Sequence, residues 1–141
     1  MKWSIRMTMI KPKNKSHVVV DFSDLEVYKL AFQSAMYIFH LSKKWPIEER
    51  YSLTDQIRRS SRSVCGNIAE AWRKRRYPAH FVSKLSNSDA EAAETIVWLE
   101  FSLECGYLKK TEYEELLDKY DHICRMLTNM MKSANKWCKN F

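Results

Sequence analysis

Glycine and proline are nearly missing, with two and three residues in 141. Hairpins draw on glycine for left-handed backbone and on proline for a preset φ, so this scarcity excludes a turn-rich β fold and points to an all-α chain. No C-x-x-C pair occurs. Cys65, Cys105, Cys124 and Cys138 are too dispersed for a zinc knuckle or a redox motif and read as reduced core thiols. His17, His40, His80 and His122 stand apart from one another and from the cysteines, so neither a metal nor another cofactor is expected. Glycine-rich phosphate loops, nucleophile elbows, internal repeats and low-complexity tracts are also missing. The longest apolar run near the N-terminus is Val18, Val19, Val20, far short of the roughly 18 residues of a membrane span, and nothing there resembles a signal peptide. These features predict a soluble, cytoplasmic protein that is not an enzyme.

What is present is charge, unevenly placed. The net +7 resolves into +4 over residues 1–21, −1 over 22–49, +6 over 50–76 and −2 over 77–141. Residues 1–21 hold Lys2, Arg6, Lys11, Lys13 and Lys15 without a helical period, and read either as a frayed arm or as a basic arm lying on a polyanion or a neighbouring subunit. Residues 22–141 form the expected single domain.

Apolar residues in that domain recur at three- and four-residue steps. Leu25, Tyr28, Phe32, Ala35 and Phe39 predict a first helix to about Ser42, opened by a Ser23–Glu26 capping box. Trp45-Pro46 ends it, and a second helix is expected from about Pro46 to about Arg75, with Glu48 and Glu49 in its first turn. Tyr77-Pro78 repeats the punctuation. A third helix then carries Phe81, Leu85, Ser88, Ala92, Thr95, Leu99 and Leu103 as a heptad seam and stops at Gly106. The fourth opens on a Thr111–Glu114 capping box and places Leu116, Tyr120, Ile123, Leu127, Met131 and Ala134 on one side. Long helices with short connections predict an antiparallel up-and-down four-helix bundle, with helices 2 to 4 each needing about 40 Å at 1.5 Å per residue.

The second helix is the most informative stretch. Leu53, Ile57, Ser60, Ser61, Val64, Ile68 and Ala71 share one face, while Arg58, Arg59, Arg62, Arg73 and Arg76 lie across from it. Ser60, Ser61, Cys65 and Gly66 make its middle small, for tight packing inside the monomer or for a subunit seam. Gln56, Ser63, Asn67 and Glu70 form a polar strip that could bond Asp89, Glu91 or Glu94 of the third helix, or Arg59 and Arg73. Trp3, Trp45, Trp72, Trp98 and Trp137 are more tryptophan than one slender bundle needs, which predicts an oligomer. Arg58, Arg59, Arg62, Arg73, Lys74, Arg75 and Arg76 form a stripe able to track RNA or DNA phosphates without reading bases, or else a solvated face or subunit ion pairs.

DLEVYKLAFQ at 24–33, WPIEERYSLTDQIRRSSRSVCGNIAEAWRKR at 45–75 and ECGYL at 104–108 resemble the 23S ribosomal RNA intervening-sequence proteins, over about Phe22 to Met131. The resemblance falls on Gln56, Arg58, Arg59, Ser63, Asn67, Glu70 and Arg73. It departs at Ala71, where glycine is usual, and at LSNSDAEAAET, where an arginine-glycine-serine element often stands. It implies a bundle assembling into a barrel-like homopentamer. A related branch, the accessory variability determinants of diversity-generating retroelements, implies an alternative role as an adaptor that binds a reverse transcriptase. Arg75-x-x-x-x-His80 also resembles the R-x4-H signature of HEPN-like ribonucleases, but its two residues flank the Tyr77-Pro78 break. The residues therefore favour non-catalytic nucleic-acid binding.

Overall fold

The computed structural model describes residues 18–139. The expectations for Trp3 and for the basic residues of the arm fall outside this range. Four long helices, α1 (Glu26–Ser42), α2 (Leu53–Arg73), α3 (Pro78–Glu104) and α4 (Lys110–Lys132), are followed by a short α5 (Ala134–Trp137). Every regular element among the described residues is helical. Consecutive long helices pack on one another and α4 closes back onto α1, while the backbones of neither diagonal pair approach closely, which is the up-and-down arrangement. No described helix is long and apolar enough to cross a membrane.

The core follows the apolar periodicity. Leu53, Ile57, Val64, Ile68 and Ala71 of α2 are buried against Phe81, Leu85, Ala92 and Leu99 of α3, with Leu116, Tyr120, Ile123 and Leu127 behind them. The α3 seam ends on Ser102 rather than Leu103, because alternating four- and three-residue steps from Leu99 land there. On α4 the buried residue near the end is Met130; Met131 is only half-buried, and Ala134 belongs to α5.

The small residues of α2 divide. Ser60 and Ser61 are buried, the Thr95 hydroxyl donates to Ser60 Oγ at 2.8 Å, and the Ser88 hydroxyl donates to the Val64 carbonyl at 2.8 Å. Hydroxyls this small bring the α2 and α3 backbones close while satisfying their own polarity. Gly66 lies outside that seam, and a Cβ added there meets nothing within 4 Å. Gly66→Ala is therefore expected to raise stability by about 0.5–1 kcal/mol in a urea melt, by removing glycine's entropy cost inside a helix.

Three helix starts differ from their sequence signals. Asp21, not Ser23, caps the first turn: its Oδ1 accepts from the Phe22 amide at 2.8 Å, and Asp24 Oδ2 accepts from the Asp21 amide at 3.0 Å. A charged acceptor displaces the serine, and α1 begins after a short 3₁₀ turn at Phe22–Asp24. At α4, Glu112 Oε1 accepts from the Lys109 amide at 2.9 Å, so the helix opens on Lys109 rather than Thr111. At α2 a separate 3₁₀ turn, Ile47–Glu49, follows Pro46, and the long helix starts only at Leu53.

Glu49 explains that last break. One carboxylate oxygen accepts from the Ser52 hydroxyl at 2.6 Å and the Leu53 amide at 3.4 Å; the other accepts from the Tyr107 hydroxyl at 3.0 Å. The bonds from Ser52 and Tyr107 hold its carboxyl below the ordinary range. Trp45 packs on Tyr107 at 5.8 Å, so this latch ties the α1–α2 connection to the α3–α4 turn. Starting at Leu53 leaves α2 21 residues, or about 32 Å, shorter than the 40 Å expected from the sequence.

Two tryptophans thought to face a partner are instead buried within the monomer, Trp45 at 8% exposure and Trp72 at 4%. Trp72 packs edge-on to a half-buried Trp137 at 6.0 Å. On the long helices the outward large apolar residues are others, Phe32 on α1 (49% exposed), and Val97 (43%) and Phe101 (54%) on α3, while Ile47, Tyr51 and Tyr77 are exposed in the connections.

Candidate nucleic-acid interface

Residues four apart on a helix share a face. Phe39 and Lys43 stand so on α1 and its C-cap, and Arg58 and Arg62 stand so on α2. Where the helices meet, all three cations gather on one ring: Lys43 Nζ is 4.9 Å from the Phe39 centroid, the Arg58 guanidinium 4.8 Å and the Arg62 guanidinium 5.7 Å. Arg58 Nε also donates to Ser42 Oγ at 2.9 Å. Burial, then the nearby Arg62 charge, pushes Arg58 below its ordinary pKa, yet a guanidinium stays charged at any physiological pH. Among the described residues no carboxylate lies within 4.0 Å of Lys43, Arg58 or Arg62. Stacking occupies the face of a guanidinium and leaves its N–H edge available, so the cluster can grip phosphate oxygens.

The predicted arginine stripe is thus not continuous. Arg58 and Arg62 join Lys43, whereas Arg59 turns toward α3 and, among the described residues, pairs only with Asp55, at 3.9 Å and largely exposed. Eleven residues on, about 16 Å along the axis, a second basic group surrounds the end of α2. Arg73 lies 4.0 Å from Asp21; Arg75 stacks on Trp72 at 3.5 Å, with its Nε donating to the Trp72 carbonyl at 2.9 Å; Lys74 and Arg76 are exposed. Exposed ion pairs near 4 Å are worth about 0–1 kcal/mol and leave these arginines able to exchange partners.

The polar strip also breaks up. Asn67 Nδ2 donates to the Ser63 carbonyl at 2.9 Å within α2, Glu70 pairs with Lys84 of α3 at 3.0 Å, and Gln56 is exposed beside α3. Asp89 faces the other way, bonded to Cys124, where it adds to the burial that pushes that thiol up to about 12. No continuous network links Gln56, Ser63, Asn67 and Glu70. Arg75 and His80 sit on separate elements, with His80 against Tyr77 at 5.6 Å, so they do not share one helical turn.

Lys43 and Phe39 are the members of the cationic cluster that sequence reasoning passed over. Their signal was the four-residue spacing together with the Lys43-Lys44 pair, which the net −1 of residues 22–49 concealed.

Comparisons with known proteins agree with this architecture. The model of the 23S rRNA-intervening sequence protein family matches residues 23–129. The fold is similar to the crystal structure of a protein of unknown function from the S23 ribosomal protein family of Bacteroides thetaiotaomicron. That match has 30% identity and a TM-score of 0.68, and covers 75% of this chain and 95% of that one. Among curated proteins nothing matches. The chain belongs to the 23S rRNA-intervening sequence protein family.

Proposed function

We propose that this protein binds RNA or DNA through the phosphate backbone, without catalysing a reaction on it. The observation that carries the reading is the cluster of Lys43, Arg58 and Arg62 around Phe39, three cations with no carboxylate in ion-pair range among the described residues. Arg73, Lys74, Arg75 and Arg76 add a second basic group about 16 Å further on, at the end of α2. Phosphate contacts of this kind position a strand without reading its sequence. Binding of the protein to a uniform single-stranded RNA should weaken linearly in log–log against salt, with each neutralised phosphate contributing a slope of about −0.7. Affinity independent of salt, or no binding at low salt, removes the reading; in the latter case an acidic protein such as a reverse transcriptase becomes the partner to test.

We infer also that copies of the chain assemble, on a different observation. Phe32 on α1 stacks with Tyr28 at 6.1 Å, and Val97 and Phe101 expose a second apolar face on α3. α1 and α3 are diagonal in the bundle, so contact between the two faces is head-to-tail and closes into a ring, such as a pentamer, if its rotation permits. Light scattering at micromolar concentration should give a multiple of the 16.8 kDa chain that falls to the monomer in Phe32→Asp. A monomeric wild type overturns the assembly and leaves the backbone reading standing.

A further inference from the structure

A cleft of about 600 Å³ runs between α2 and α3, within the volume range of small-molecule sites. One wall is cationic and amide-bearing, with Gln56, Arg59, Arg62 and Ser63 from α2; the other carries Glu91 and Glu94 from α3. Its floor includes Ser60, whose hydroxyl is already engaged by Thr95. Opposite charges usually close onto each other when they can reach. Here no described ion pair within 4.0 Å spans the gap, and Arg59 reaches only Asp55. The cleft therefore holds a row of donors facing a row of acceptors with room between them.

Among the nucleobases, guanine is the one that fits such a pair of walls. Its O6 and N7 form a two-acceptor edge that an arginine bonds bidentately, and its adjacent N1–H and N2–H₂ form a two-donor edge that a carboxylate accepts. Adenine and cytosine have no edge with two adjacent donors. Uracil offers one N–H between two carbonyls. A duplex occupies the N1–H and N2–H₂ edge in base pairing, so the strand must be single.

We propose that the cleft receives an unpaired guanine of a bound strand, with Arg59 or Arg62 on O6 and N7 and the Glu91–Glu94 pair on N1–H and N2–H₂. This rests on the backbone reading above and adds base selectivity to it. Arg62 belongs to both the Phe39 cluster and the cleft wall, so a phosphate held on Lys43 and Arg58 places its neighbouring base beside the cleft. Burial, followed by the charge and hydrogen bond of Glu94, raises Glu91 from its ordinary range, and two donated N–H groups relieve that repulsion.

The test is fluorescence anisotropy with three labelled 12-nucleotide RNAs: all uridine, uridine with one central guanosine, and uridine with one central inosine, which lacks the N2 amine. Guanosine should bind about tenfold tighter than uridine alone, with inosine between them. The double variant Glu91→Gln/Glu94→Gln, checked for an unchanged helical circular-dichroism spectrum and melting point, should lose most of the guanosine-over-inosine difference, keep a smaller preference for both over uridine through the arginine on O6 and N7, and bind the uridine strand at least as tightly as wild type. Equal affinity of wild type for all three overturns the cleft assignment and leaves backbone binding intact. A guanosine-over-inosine preference that survives undiminished in the double variant also overturns it. Failure to bind any of the strands overturns both proposals.

Discussion

Replacing Lys43, Arg58 and Arg62 together with glutamine is expected to lower affinity for a uniform single-stranded RNA by about 10- to 100-fold at low salt, and to make the log–log salt slope shallower by about 2. The second number is the more diagnostic, because a misfolded protein loses affinity without a defined change in counterion release. Arg58 also bonds Ser42 and stacks on Phe39. Its replacement should therefore cost about 1 kcal/mol of stability, which a melt of the variant measures separately. A control variant, Arg125→Gln/Lys132→Gln, removes two exposed charges, against three, from α4, the helix diagonal to α2. It should leave the slope nearly unchanged. If both variants lose affinity in proportion to charge removed, binding follows net charge and the Phe39 cluster is not a site.

Tyr120→Ala should destabilise the bundle by about 3–5 kcal/mol, a large share of the roughly 5–15 kcal/mol that holds a domain folded. Tyr120 is fully buried on α4. Its hydroxyl meets no hydrogen-bond partner among the described residues, and burial, with Cys65 and Cys124 nearby, drives its pKa well above the ordinary value. The ring thus supplies the stabilisation and the hydroxyl subtracts from it, since an unsatisfied buried donor costs about 1–3 kcal/mol. Tyr120→Phe should accordingly melt at or above the wild-type temperature. A Phe variant that loses 2 kcal/mol or more would show that the hydroxyl is paired, through a bridging water or a thiol.

Much of this architecture was legible in the sequence because helix formation and facial burial are local properties. Each buried residue of α2 predicted from the 3.6-residue period, from Leu53 to Ala71, lies in the core. The Tyr77-Pro78 break and Gly106, at a φ of +79°, end elements as their backbone chemistry requires. Caps were less legible, because one amide is contested by several nearby acceptors. Asp21 outcompeted Ser23, and Glu49 was drawn out of α2 by Tyr107, a partner 58 residues away.

The sequence by itself determined that residues 1–21 and 50–76 hold the positive excess and which face of α2 is buried. Only the tertiary structure decided how its arginines are grouped. Arg58 and Arg62 join Lys43 because α1 presents Phe39 beside them, Arg59 faces Glu91 and Glu94 because α3 packs on the other side, and Arg73 to Arg76 gather near Asp21 and Trp72. Periodicity fixes the angle of a side chain about its own axis. The neighbour it meets is set by how helices far apart in the chain are rotated and stacked, and core burial fixes that only once the whole bundle has formed.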